Sequence, residues 1–260
     1  MTAQSGARRK WLDRYGSRLV QVAFVAAILL LWHLATTRWG VNKILLPSPL
    51  SVWQQFVDVI RKGEFLADLQ ITLMELAVAF VVATVSGTVV GYVISRSPYL
   101  IKVFEPLFAG IYSIPIILFL PLYVLFFGLG PASKIALGIT ISFFPVVLST
   151  IAGFGNVDRV LVTAAKSMGA SDWQLFRHVL VPAALPVVLS GLRMGFTIAL
   201  LSIIGSETIA SLAGLGHRIV NLAENMDMAR MFAYIVFVII IAVFLNTAVS
   251  ALDARGKRQR

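Results

Sequence analysis

Cysteine is absent from this chain of 260 residues, which excludes disulfides, thiolate metal sites and a cysteine nucleophile and leaves the redox compartment open. Charge is scarce as well. Asp, Glu, Lys and Arg together make up 13% of the residues, against 58% hydrophobic ones and a mean hydropathy of +0.88. Folding could not hide that much apolar surface from water, so an ordinary water-soluble domain is excluded and lipid is the natural solvent. The motifs of several enzyme classes are missing too. No G-x4-G-K-[ST] phosphate loop occurs, and no H-E-x2-H or G-x-S-x-G that would suggest a membrane protease or lipase. The GLG at 128–130 and the GFG at 153–155 are too short to be nucleotide fingerprints. His33, His178 and His217 are scattered without metal-ligand spacing, so no metal site is expected and the three read as structural or solvated. The chain therefore reads as a non-enzyme that binds no cofactor of its own.

What is present is a set of long apolar blocks separated by basic residues. The formal charge of +10 sits between those blocks and at the two ends, where Lys and Arg meet anionic lipid headgroups; nucleic acid is a poor partner for such a pattern. Six candidate spans near 19–37, 70–95, 106–127, 134–154, 183–205 and 231–252 are each long enough to cross the hydrocarbon as a helix. The expected fold class is thus all-α, a polytopic membrane helix bundle. One membrane domain over 19–253 would carry a basic N-terminal tail at 1–18 and a basic C-terminal tail at 254–260. The RRKWLDRYGSR before the first span could be the start of a cleaved signal, but the run after it is long and lacks a clear small-residue cleavage site, which favours a retained anchor. Residues 38–69 read as an extended turn followed by a short interfacial helix.

With a cytoplasmic N-terminus, the loops on that side hold 14 Lys and Arg and the opposite loops 7, while Arg193 falls inside the fifth span. This bias places both ends, and residues 158–182, on the cytoplasmic side. Those residues, DRVLVTAAKSMGASDWQLFRHVLVP, form an amphipathic island. Asp158 can cap a short helix with Val160, Leu161, Ala164, Ala165 and Met168 on one face. Gly169 supplies a left-handed stop, and Ser171 with Gln174 makes a capping box for a second helix lined by Trp173, Phe176, Val179 and Leu180. Pro182 marks the entry to span five. On these residues alone, two readings stand level: a docking device for a soluble partner, or a helix pair lying on headgroups.

The order Thr163-Ala164-Ala165, Gly169, Ala170, Val179 and Pro182 resembles the EAA loop, E-A-A-x3-G-x9-I-x-L-P, of permease subunits in bacterial ATP-binding-cassette importers. Thr163 stands where that family has Glu, Val179 where it has Ile, and Val181 where it has Leu. LLPSPLSVW at 45–53, IPIILFLPLYVLFFGLGPASKI at 114–135, FFPVVLSTIAG at 143–153, LPVVLSGLRMG at 185–195 and GSE at 205–207 before GLG at 214–216 are similar to its nitrate, sulfonate and taurine branch. The resemblance implies a type I importer permease working as two copies, with a separate ATPase subunit that consumes the ATP and an external solute-binding protein. Residues 158–182, with Trp173 and Phe176 among them, would dock on the ATPase. The solute implied is small and anionic, although relatives of this branch also carry uncharged and aromatic compounds. An ATPase-independent secondary transporter or channel is the alternative, and a purely structural membrane anchor is a third reading.

Pro115, Pro121 and Pro145 free backbone carbonyls inside the spans and are candidate bending points along a translocation path; packing alone is the competing account. Gly87-x3-Gly91 and Gly191-x3-Gly195 offer close helix contacts. Arg193 could hold an anionic solute, or snorkel from near the cytoplasmic end of its span. Glu207 could line an outer gate, or hydrogen-bond to the GLG loop at the membrane interface. Glu75 reads as a helix-end residue among headgroups.

Overall fold

The computed structural model describes the backbone of residues 3–38, 41–42 and 45–258, and side chains within 19–250. The side chains of the expected tails at 1–18 and 254–260 lie outside the described residues. In chain order the helices are α1 (Ala3–Thr37), α2 (Pro49–Lys62), α3 (Phe65–Ser95), α4 (Pro98–Tyr112), α5 (Leu120–Phe127), α6 (Pro131–Gly155), α7 (Arg159–Ser167), α8 (Asp172–Leu175), α9 (Val181–Ile209), α10 (Leu215–Glu224) and α11 (Met228–Arg258). A 3-10 turn, Ile116–Phe119, precedes α5, and a π turn, Phe176–Leu180, precedes α9. Five of the helical stretches are long and apolar enough to cross a membrane, and the bent pair Pro98–Tyr112 with Ile116–Phe127 makes a sixth. The expected helix bundle is what forms.

Two compact units divide the described chain. The smaller combines residues 1–63 with 222–235. In it the indole N–H of Trp32 donates to the carbonyl of Pro47 at 3.0 Å, and the Trp32 ring lies 6.0 Å from that of Phe232. The expected short helix after the extended turn is α2, capped by the Ser48 hydroxyl, which accepts from the Ser51 N–H, and stopped by Gly63 at φ 66°.

The larger unit, residues 64–221 with 236–260, is organised around α6, which packs along both α3 and α9. Small residues set the separation of these helices. A side chain at Gly91 would run into Thr150 at 2.6 Å, and one at Gly191 would overlap Ser149 and meet the Pro145 carbonyl at 3.0 Å. Lipid tails are as apolar as Leu, so helices in a membrane gain by close backbone approach rather than by a hydrophobic drive between them. On the other side of α9, Leu76, Phe196, Ala199 and Leu200 form a core that α11 covers with Ala242, Leu245 and Val249.

The structure corrects several span boundaries. The second span starts at Phe65 rather than residue 70, because Asp68 is held inside the helix by a partner described below. The third is not one helix over 106–127 but a pair bent by 71°. Pro115 starts the 3-10 turn and Pro121 opens α5, each sitting where a missing N–H costs nothing. The break is satisfied locally: the Ser113 N–H donates to Ala109 and Gly110, Ile114 to Ile111, and Leu118 to Pro115. Pro145, by contrast, lies buried inside a continuous α6. Pro182 lies in the first turn of α9, where an entry proline is expected, although the π turn carries the helix through it without a break.

Gly191→Ile is expected to prevent α6 and α9 from closing, with a loss of at least about 3 kcal/mol, since overpacking here forces backbone and not only side chains to move. Thermal unfolding of the purified chain in detergent checks it; Gly110→Ile, where a side chain would meet nothing, is the control and should melt like the parent.

Candidate functional site

The coupling-type island folds as its capping residues dictate. The Asp158 carboxylate accepts the Val160 N–H at 2.8 Å and starts α7. Gly169 sits at φ 80°, in the left-handed region that only glycine enters without strain. Both halves of the next capping box form, with the Ser171 N–H donating to Gln174 Oε1 at 2.9 Å and the Gln174 N–H to Ser171 Oγ at 3.3 Å. The second helix is a single α turn followed by the π turn, in which the Val181 N–H reaches back to the Phe176 carbonyl. This wider turn precedes Pro182, which has no N–H to give and would crowd a regular preceding turn.

Two surfaces result. Outward, Leu161, Ala164, Ala165, Met168, His178, Val179, Pro182 and Ala183 line an apolar groove of about 470 Å³. Ala165 is its buried floor, while Met168 at its rim is 81% exposed. Thr163 is exposed and Ala170 half-buried beside the bend. Inward, Phe176 stacks 5.6 Å from Trp173 and meets Tyr92 of α3 edge-on at 5.1 Å and Phe154 of α6 at 6.4 Å. Tyr92 and Phe154 themselves stand 5.0 Å apart. One aromatic cluster therefore joins the island to the ends of α3 and α6, and its groove stays open.

The opposite end of the larger unit holds the charges. Glu207, 1% exposed, accepts the Thr72 hydroxyl at 2.7 Å and the Gly216 N–H at 2.8 Å. Thr72 Oγ also accepts the Leu215 N–H at 3.0 Å, and Asp68 accepts the Gly214 N–H at 3.4 Å. Glu207 thus binds the GLG loop at 214–216, one of the two roles the sequence left open, and does so buried inside the protein. Two further residues join it unforeseen. Glu75 is 1% exposed, one turn along α3 from Thr72, and Lys134 is fully buried, its ammonium held by the carbonyls of Leu129 and Gly130. Neither the headgroup placement of Glu75 nor the count of Lys134 among loop residues survives. The available signal was Asp68, Thr72 and Glu75 spaced four and three residues apart on one face of α3.

Arg193 also departs from expectation. It lies twelve residues from Val181 and sixteen from Ile209, near the middle of α9 and not toward one end, and its side chain is exposed. Around the break at Pro115, a cavity of about 420 Å³ is lined by Ile111, Ile114, Ile116, Phe119, Tyr123 and Phe144 among others. Its polar feature is the Tyr123 hydroxyl bonded to Thr140 at 2.8 Å. The structure does not bring Pro145, Arg193 and Glu207 into that cavity. Among the described residues no group of His, Asp and Glu could hold a metal ion.

This arrangement has relatives. Residues 83–258 match the model of the binding-protein-dependent transport system inner membrane component. The chain belongs to this family. It is 30% identical over 241 residues to the taurine transport system permease protein TauC of Escherichia coli K12, covering 91% of this chain and 88% of that one. It is 27% identical to the putative aliphatic sulfonates transport permease protein SsuC of Bacillus subtilis, over 97% of this chain and 91% of the relative. The riboflavin transport system permease protein RibX of Chloroflexus aurantiacus is 29% identical, over 87% and 84%. In fold, the chain is similar to an amino acid ABC transporter crystallised with histidines, with a TM-score of 0.61 at 20% identity over 79% of this chain and 98% of that one. A MetNI methionine ABC transporter in an inward-facing conformation gives 0.56 at 19% identity, over 72% and 91%. The chain is a multi-pass inner-membrane permease subunit of an ABC importer, a class that works with an ATPase and a substrate-binding protein. Membership in it disfavours the ATPase-independent transporter.

Gly169→Val is expected to cost about 1–2 kcal/mol locally, because a β-branched residue cannot adopt the required φ without strain. The change should appear as faster amide hydrogen exchange in 165–175, with no loss of membrane insertion; unchanged exchange would contradict it.

Proposed function

We propose that this permease forms the translocation path for a small anionic solute, such as a sulfonate, nitrate or related organic acid, and is driven by an ATPase subunit docked on residues 158–182. The observation that carries the solute class is Arg193. An exposed guanidinium midway along a membrane helix is costly against lipid, about 2.5–3.5 kcal/mol on insertion scales, so that face of α9 belongs against protein or a hydrated path. There a fixed fork of donors suits a sulfonate or carboxylate. The names of the taurine and sulfonate permease relatives agree with this reading.

Coupling rests on the two faces of the island. The open groove over Ala165 offers an apolar seat for the ATPase, and the ring cluster of Phe176 passes displacement of that seat to α3 and α6. Thr163 lacks the acid of the usual loop, so docking relies on shape and apolar contact here. A second copy of the chain completes the path, and both termini lie in the cytoplasm, as the Lys and Arg bias favours.

Arg193 variants test the solute. In proteoliposomes carrying the permease, its ATPase and its binding protein, Arg193→Gln is expected to lower uptake of an anionic solute at least tenfold, with Arg193→Lys intermediate, while basal ATP hydrolysis is retained. Uptake unaffected by Arg193→Gln would remove the anion assignment. The absence of native cysteine makes the docking test direct. A lone cysteine in place of Ala164, at the groove rim, should cross-link to the ATPase subunit, and one in place of Leu125, on α5, should not.

A further inference from the structure

Between the island and the ends of the membrane helices lies a second cleft, of about 340 Å³, which shares no residue with the apolar groove. Tyr92, Ser95 and Arg96 line it from the end of α3, Phe154 from the last turn of α6, and Lys166 and Asp172 from α7 and α8. The apolar spans of α3 and α6 stop at Ser95 and Gly155, so the cleft sits where two helices leave the hydrocarbon. That is headgroup depth. Arg96 is exposed, and its guanidinium donates to the Tyr92 hydroxyl at 3.1 Å, with the Tyr92 ring 5.9 Å away. Lys166 is exposed too, and among the described residues neither cation forms an ion pair with an acid.

Charge and shape together narrow the occupant. Asp172 is the acid of the lining, so Arg96 and Lys166 leave the cleft with one positive charge in excess. A phosphodiester carries one negative charge and balances it, whereas a phosphate monoester, at about −1.5 to −2, overshoots. The guanidinium supplies a fork of donors that fits phosphate oxygens, and the ammonium a second, more mobile charge. Tyr92 already holds Arg96 in place, which reduces the side-chain freedom lost on binding. The remaining walls, Phe154, Val162, Leu175 and Leu180, are apolar. They suit the glycerol and first methylenes of a lipid and offer nothing to a hydrated ion.

We infer that this cleft binds the headgroup phosphodiester of one anionic phospholipid, held between Arg96 at the end of α3 and Lys166 of α7. The basic residues of a cleft between helices at the membrane surface are a recurrent seat for such headgroups. Once bound, the lipid ties the island to α3 through charge, beside the tie that Phe176 makes through its ring. The site depends neither on the identity of the solute nor on the seat of the ATPase, so its failure leaves both of those readings standing.

Native mass spectrometry of the purified full-length chain, titrated with phosphatidylglycerol or phosphatidylcholine, reads the site. The parent is expected to bind its first phosphatidylglycerol at least about tenfold more tightly than phosphatidylcholine. Arg96→Gln and Lys166→Gln should each weaken that binding about fivefold, and the double variant more than about tenfold. Lys102→Gln, which removes an exposed charge from α4 outside the cleft, should bind as the parent does. In nanodiscs, amide hydrogen exchange of the parent over 162–172 should be slower with phosphatidylglycerol than with phosphatidylcholine, a readout that requires no variant to fold. Equal binding of the two lipids, an equal loss in Lys102→Gln, or exchange indifferent to the lipid would each overturn the site. So would displacement of the lipid by an equal concentration of inorganic phosphate, which assigns the cleft to a free anion, or its release when the ATPase subunit binds, which assigns the two cations to an acidic protein surface.

Discussion

Close approach of α6 to α3 and α9 is the constraint on which the rest of this molecule depends. Gly91 and Gly191 face Thr150 and Ser149 with no room for a β-carbon, so the three helices meet at backbone distance. Contact of that kind is poorly compressible. A shift imposed at one end of α6 therefore cannot be absorbed by soft side chains along its length. It must appear at the other end, or the helices must part. The two ends carry very different chemistry: rings and an open apolar groove at one, and buried charged side chains at the other.

The ring cluster explains why the island can be short. A pair of helices protruding on a slack loop would move without effect on the membrane part. Phe176 removes that slack by touching Tyr92 of α3 and Phe154 of α6, two helices that pack along each other. The π turn that follows keeps α8 and α9 in one continuous path through Pro182. The bend at Gly169, in turn, sets the angle between α7 and α8 without any tertiary contact against the glycine itself. Local rules thus shape the island, and aromatic packing attaches it.

Local rules are also what made the island readable. The Asp158 cap, the Gly169 stop and the Ser171–Gln174 box each depend on residues within a few positions, and each forms as the sequence reading expects. The small-residue pairs at Gly87, Gly91, Gly191 and Gly195 were legible for the same reason, because spacing along one helix defines the face. Glu75 and Lys134 were not. Hydropathy assigns a charge near the end of an apolar run to the headgroups, and only the packing of helices far apart in sequence shows that these charges are buried inside. Arg193 lies near the middle both of the expected span 183–205 and of α9, so its placement toward one end came from the habit of sending a charge to the headgroups and not from a boundary. The bend falls at Pro115, one of the expected bending points, but the 3-10 turn that absorbs it was not legible, because a proline reports a freed carbonyl and nothing of what satisfies it.

Burial separates the two kinds of charge in this bundle. Glu75, Lys134 and Glu207 are enclosed by one chain, with Glu207 on Thr72 and Gly216 and Lys134 on the carbonyls of Leu129 and Gly130. Arg193 is exposed on its helix. In water that difference would mean little, since an exposed arginine is ordinary. In hydrocarbon it inverts the usual reading: the enclosed charges are the settled ones, and the exposed charge is the one whose environment must come from beyond the single chain. A guanidinium cannot shed its charge to escape that requirement, as a carboxyl or an amine can. The face of α9 that bears Arg193 is therefore incomplete in one copy, which is a physical reason, independent of any relative, for this permease to act as part of an assembly.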